Sequence, residues 1–293
     1  MPTTALRRTQ RPGKDDNLST APDPHTSATR YKVTGIRVLR SEWAKFWSLR
    51  SSWITLGVAV FLLVLFGAIA SFTYSADATA GGGPAPGGGS GDSDAVSLAL
   101  TGVTFASLAV GVLGVLLAAG EYGTGMIRST LAAVPRRLPV LWSKAAVIGP
   151  IVLVLTVIGA LAAFQLGTPG LDGEKIALSL GDDGVLRSLA GAGVYLSLVA
   201  VFGVALGMLI RSSAGAIAVL VGTLLILPGL ASLLPDSLYD TMNPYFPSNA
   251  GSAVYALNQS SDALSPGAGI AVFAGWVALT LAGAAYRLRK SDA

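Results

Sequence analysis

The stretch from Glu121 to Arg137 holds the residue types and spacings best suited to specific chemistry, and that chemistry is recognition. Gly120, Gly123 and Gly125 weaken any helix that runs through them, Thr124 can cap a new one, and Pro135 ends it. Between these marks lies a helix of two to three turns. Its Met126, Ile127, Leu131 and Val134 offer apolar surface to a protein groove, and Arg128 offers a cation to a carboxylate at the groove's edge. The candidate contact set is Glu121, Tyr122, Thr124, Gly125, Met126, Ile127, Arg128 and Leu131. A basic loop serving membrane topology alone would carry similar charge, but it would not need this glycine and proline punctuation.

Bond-making chemistry is missing from the rest of the chain. There is no cysteine among the 293 residues, which excludes disulfides, iron–sulfur clusters and thiol catalysis, and the single histidine, His25, sits in a polar N-terminal stretch. Zinc sites and histidine-activated serines are thereby excluded. Neither a phosphate loop, a His-Glu-x-x-His pair nor a dinucleotide fingerprint occurs, so the chain is expected to hydrolyse no nucleotide alone and to bind no cofactor or metal. The acidic loop residues Asp172, Glu174, Asp182 and Asp183 lack metal-ligand spacing and read as solvated surface.

What must hold the recognition segment in place is a membrane domain. At 52% hydrophobic and 12% charged, the chain has about half the charge of a soluble domain. Six apolar runs, 52–72, 96–119, 145–166, 188–210, 214–234 and 268–286, are each 19 to 24 residues long. That is the length at which a helix crosses roughly 30 Å of hydrocarbon. Laying them across a bilayer puts 18 of the 20 Lys and Arg residues on one side, with Lys175 and Arg187 alone on the other. By the positive-inside rule both termini and the 120–144 segment are cytoplasmic. The net charge of +4 needs no nucleic-acid partner, because topology accounts for it. Drawn this way, the spans contain no Asp, Glu, Lys, Arg or His, which argues against a proton-coupled transporter, although backbone carbonyls can bind sodium without them.

Outside the spans, residues 1–30 are polar and read as a disordered cytoplasmic tail. Residues 31–51 form an amphipathic helix. On a helical projection Ile36, Leu39, Trp43, Phe46 and Trp47 share one arc, with Arg37, Arg40, Ser41 and Lys45 opposite, the pattern of a helix lying in the inner headgroup layer. Trp43, Phe46, Trp47, Arg37, Arg40 and Lys45 are the expected membrane-interface residues. Residues 81–91 are a Gly/Pro-rich spacer, and 287–293 are a short cytoplasmic C-terminus. Gly203 and Gly207 form a Gly-x-x-x-Gly pair that serves either packing within the chain or dimerisation. Gln165 and Thr156 either bond neighbouring helices or touch a substrate. The loop 235–267 mixes aromatic, proline and small apolar residues, as interfacial or re-entrant segments do.

The stretch Val38 to Trp53, with Glu121 to Arg128 after the second span, resembles permease subunits of bacterial ABC transporters of the type 2 export class. The likeness extends from about Tyr31 onward and includes Pro247-Ser248-Asn249-Ala250-Gly251; the glycine-rich first outer loop departs from it. It implies a connecting helix before span one, a coupling helix between spans two and three seated on a separate ATPase, and re-entrant helices before span six. It also implies a multi-pass protein of the bacterial plasma membrane, a second permease subunit, identical or related, and a cytosolic ATPase partner that binds ATP and magnesium. A secondary transporter and a non-transport scaffold are the alternatives from other classes.

Overall fold

A computed structural model describes residues 34–74, 94–133, 137–233, 235–259 and 263–290. The expected tail, the glycine-rich spacer and Val134 and Pro135 of the candidate segment lie outside these, as do the side chains of Arg128 and Leu131. All secondary structure among the described residues is helical. In chain order the helices are α1 (Gly35–Ser48), α2 (Arg50–Phe72), α3 (Ala95–Ala99), α4 (Val103–Gly123), α5 (Met126–Ala133) and α6 (Leu138–Gly167). They continue with α7 (Val185–Ile210), α8 (Ser213–Ala231), α9 (Asp236–Met242), α10 (Pro247–Tyr255) and α11 (Pro266–Lys290). Six of them, α2, α4, α6, α7, α8 and α11, are long and apolar enough to span a membrane, and the chain is an all-α polytopic membrane protein.

The spans differ from the apolar runs at their ends. The second run breaks at Leu100–Gly102 into α3 and α4, and Gly102 at the break lies against the backbone of Leu63, where a side chain would collide. Asp94 caps α3 in a reciprocal box with Ser97. At their other ends α4 continues through Glu121, α6 begins before Lys144 and α11 runs on to Lys290, so residues 287–290 extend the last span. The expectation that no span carries a charge therefore fails. Charged residues end a hydropathy window, but they do not end a helix.

Helix α7 is the centre of the bundle. It contacts α4, α6, α8, α10 and α11, and 67% of its apolar window is buried against 22% for α8. Glycine makes the tightest contact possible: a Cβ on Gly203 would strike the carbonyl of Gly111 on α4, one on Gly114 the carbonyl of Ala200, and one on Gly207 would lie 2.8 Å from the carbonyl of Val115. The Gly-x-x-x-Gly pair thus packs α7 on α4 within the chain. Thr156 is fully buried and donates to Val152 of its own helix at 2.7 Å, a structural role, whereas Gln165 is exposed.

Spans α7 and α8 form the expected hairpin. Arg211 takes the left-handed conformation (φ 62°) while its N–H bonds Gly207, and the Ser212 hydroxyl accepts from the N–H of Gly215. In α8 a π-turn at Gly222–Ile226 precedes Pro228, and the N–H of Leu227 reaches back to Gly222. Ahead of the last span, α10 packs on α7 and α11, with Gly251 against Tyr195, Gly191 against Val254 and Gly269 against Ala250. Pro247, Ala250 and Gly251 are buried in it. Arg187, one of the two basic residues on the far side, donates to the Ala256 carbonyl at 2.9 Å and caps α10.

Candidate functional site

Three helix ends converge at the basic end of the bundle, and each brings charge. Helix α1 lies against α6 and the start of α2, with Val38, Glu42 and Phe46 buried. These sit at i, i+4 and i+8 and define one face, which Lys45 shares. Lys144 on α6 donates to Glu42 Oε2 at 2.8 Å and to Glu121 Oε1 at 2.6 Å. Lys45 donates to Glu42 Oε1 at 2.8 Å and to the same Glu121 oxygen at 3.1 Å. The four residues close a ring of alternating charge joining α1, α4 and α6. Side-chain exposure is 5% for Lys144 and Glu42, 10% for Glu121 and 29% for Lys45, so water screens little of it.

The ring also sets the charge states at its outer edge. Burial pushes the Glu42 carboxyl up, but the adjacent Lys144 and then Lys45 ammoniums outweigh burial and hold it below the ordinary value. Burial likewise pushes the Lys45 ammonium down, and Glu42 with Glu121 reverse this, leaving it raised. One oxygen is not served: Glu121 Oε2 is buried and has no hydrogen-bond partner.

Helix α5 hangs directly from this ring. After Glu121, α4 ends at Gly123, and the Thr124 hydroxyl donates back to Gly120 at 3.0 Å, closing α4 instead of capping α5 as its residue type suggested. Gly125 then turns the chain with φ 73°, a conformation that costs glycine nothing. Within α5, Ile127 is buried against its own chain while Met126 and Ser129 are exposed. Glu121 and Ile127 accordingly face inward and anchor the helix, and among the described side chains of the candidate set Thr124, Gly125 and Met126 face outward, with Ser129 and Ala132 beside them. Tyr122 is half-buried and lies beneath the Arg211 guanidinium, 5.3 Å from its ring centre.

The membrane-interface set also divides. Trp43 and Trp47 are exposed and form a row of tilted rings with Trp53, Trp47 and Trp53 lying 4.7 Å apart, and Arg37 and Arg40 are exposed. Phe46 is buried, edge-on to Trp53, and Lys45 belongs to the ring. Arginines tie down the neighbouring ends: Arg287 donates to Leu209, Arg211 to Arg287 at 3.4 Å and Arg137 to Leu288 at 3.4 Å. All three satisfy carbonyls at helix C-termini.

Among the described residues no group of His, Asp, Glu or Cys is arranged to hold a metal ion. The arrangement is a buried ion-pair junction of three helices, with the short helix α5 following directly on one of them. No protein-family model matches the chain, and no curated protein matches it.

Proposed function

We propose that this chain is the membrane-spanning permease subunit of an ATP-driven exporter, with ATP and magnesium bound by a separate cytosolic ATPase and a second permease subunit completing the pathway. The observation that carries the reading is α5: a short helix with exposed Met126 and Ser129, preceded by Gly123 and Gly125, whose root at Glu121 is locked by ion pairs to α1 and α6. A push on α5 displaces Glu121 at the end of α4, and the ring passes that displacement to the start of α6 and to α1 together, as rigid-body rocking of the bundle requires. The resemblance of α1 and of the Glu121–Arg128 segment to type 2 exporters supports the same reading, and the basic-residue count assigns this end to the cytoplasm.

A secondary transporter is the second reading. It is favoured by Glu121 and Lys144, a carboxylate and an ammonium buried at span ends, and disfavoured by their pairing with each other and with Glu42 and Lys45 of α1. The experiment is co-purification from the native membrane. The wild-type chain brings down a cytosolic ATPase, while Arg128→Glu and Ser129→Trp, at equal membrane abundance, do not. Wild-type association in both variants removes the docking role of α5, and transport that is abolished by an ionophore and persists without any ATPase favours the second reading.

A further inference from the structure

Beside the ion ring lies a cleft of about 270 Å³ between α1, the start of α2, the last turns of α4 and the first turns of α6. All four ring residues line one end of it. The remaining wall is mostly apolar, with Ser51, Ser52, Thr55 and Thr124 set among the apolar side chains: Leu113 and Ile148 lie deep, and Leu49, Leu116 and Met126 stand exposed at the mouth. In a membrane protein that mouth opens toward lipid, at the depth where the exposed Trp43 and Trp47 of α1 mark the headgroup layer.

The polar end of the cleft is incomplete in two respects. Glu121 spends Oε1 on both lysines, and its buried Oε2 lacks a donor. Lys45, the most exposed member, commits two donors to carboxylates out of the three that an ammonium carries. A ligand that donates N–H to Glu121 and accepts from Lys45 completes both. An apolar chain attached to it fills the leucine-lined remainder.

We propose that this cleft is a binding site for an ethanolamine phospholipid of the adjacent leaflet. Its primary ammonium is held by Glu121, its phosphate oxygen by Lys45, and one acyl chain runs past Leu116. Choline lipids offer no N–H to Glu121, and glycerol lipids offer no cation, so the headgroup is read by charge and by donor together. The site follows from the membrane assignment and the cleft alone, and stands whether or not the chain is a permease.

Native mass spectrometry of the full chain, exposed in detergent to equimolar ethanolamine, choline and glycerol phospholipids with identical acyl chains, tests this. The wild type should retain the ethanolamine lipid over the choline lipid on the order of tenfold, as one charge-assisted hydrogen bond allows. Glu121→Gln should erase that preference. Leu116→Trp, which leaves the ring intact and fills the mouth, should lower retention of the ethanolamine lipid without changing the lipid-free unfolding midpoint. Equal retention of ethanolamine and choline lipids by the wild type, or undiminished ethanolamine retention by Leu116→Trp, overturns the proposal. If Glu121→Gln does not fold, the wild-type ratio and Leu116→Trp decide it.

Discussion

Replacing Lys144 by methionine tests the ion ring most directly. Lys144 is 5% exposed and bonds both carboxylates, Glu42 at 2.8 Å and Glu121 at 2.6 Å. Methionine matches its length but leaves two buried carboxylates sharing only Lys45. Removing one partner from a buried pair costs about 3 to 5 kcal/mol, because the remaining charge has lost its compensation. Lys45→Met is the internal comparison. Lys45 is 29% exposed, and its loss leaves Lys144 bridging both carboxylates, so the cost should fall to about 1 kcal/mol or less. Unfolding free energies in mixed micelles, measured for the two variants in parallel, supply the contrast. Lys144→Met with Glu121→Gln should recover part of the loss, since Lys45 then pairs with Glu42 alone and the set is neutral again. Equal costs for Lys144→Met and Lys45→Met, or a Lys144→Met cost below about 1 kcal/mol, would refute the argument that the ring is a buried, mutually dependent unit.

The ring also sets a pH window. Because the folded Glu42 carboxyl lies below its ordinary value, its contribution is present above about pH 4.3 and is lost as the pH falls through the folded value. Lys45 is raised, so its contribution is present below about pH 10.4 and is lost as the pH rises through its folded value. The acid-side loss in the unfolding midpoint should shrink in Glu42→Gln; an unchanged acid limb would show that other groups cause it. At the α4–α7 contact, Gly203→Ala should destabilise by about 1 to 3 kcal/mol, since its Cβ meets the Gly111 carbonyl. Gly222→Ala, with open space around it, serves as the control, and equal effects in the two would refute the packing argument. Single cysteines in this cysteine-free chain report topology: Lys175→Cys should react with an impermeant thiol reagent in intact cells and Ser129→Cys only after lysis, and the reverse pattern would invert the orientation.

The number of spans was legible because a run of about twenty apolar residues has few other physical solutions. The ring was not, and the reason is instructive. Hydropathy assigns Glu121 and Lys144 to a loop because they are charged, and apolar runs that end at such residues necessarily contain no charge. On α1 the spacing Val38, Glu42, Phe46 marks the inward face, but the apolar arc of the projection includes neither Val38 nor Glu42, and it sets Lys45 on the polar side. Helical projection sorts residues by type, and here pairing across 76 and 102 positions of sequence overrode type. Phe46 was misplaced for the same reason: Trp43 and Trp47 share its arc, but α6 and the start of α2 shelter one edge of that arc and leave the other to lipid. The recognition helix was legible in outline from its glycines. That Ile127 would turn inward and Thr124 would close the preceding helix depended on the angle set at Gly125, which no local pattern specifies.

The π-turn of α8 has a geometric consequence for the face that this span presents. One residue too many in a single turn rotates everything after it by about 100° relative to an uninterrupted helix. Leu227 and Leu230, both exposed, therefore occupy a different azimuth from the one that counting forward from Ser213 would assign, and the span shows the bilayer two differently aimed stripes joined at Gly222–Ile226. A partner lying along α8 would have to match both stripes at once, so the surplus residue acts as an angular key, set into the least buried span of the bundle.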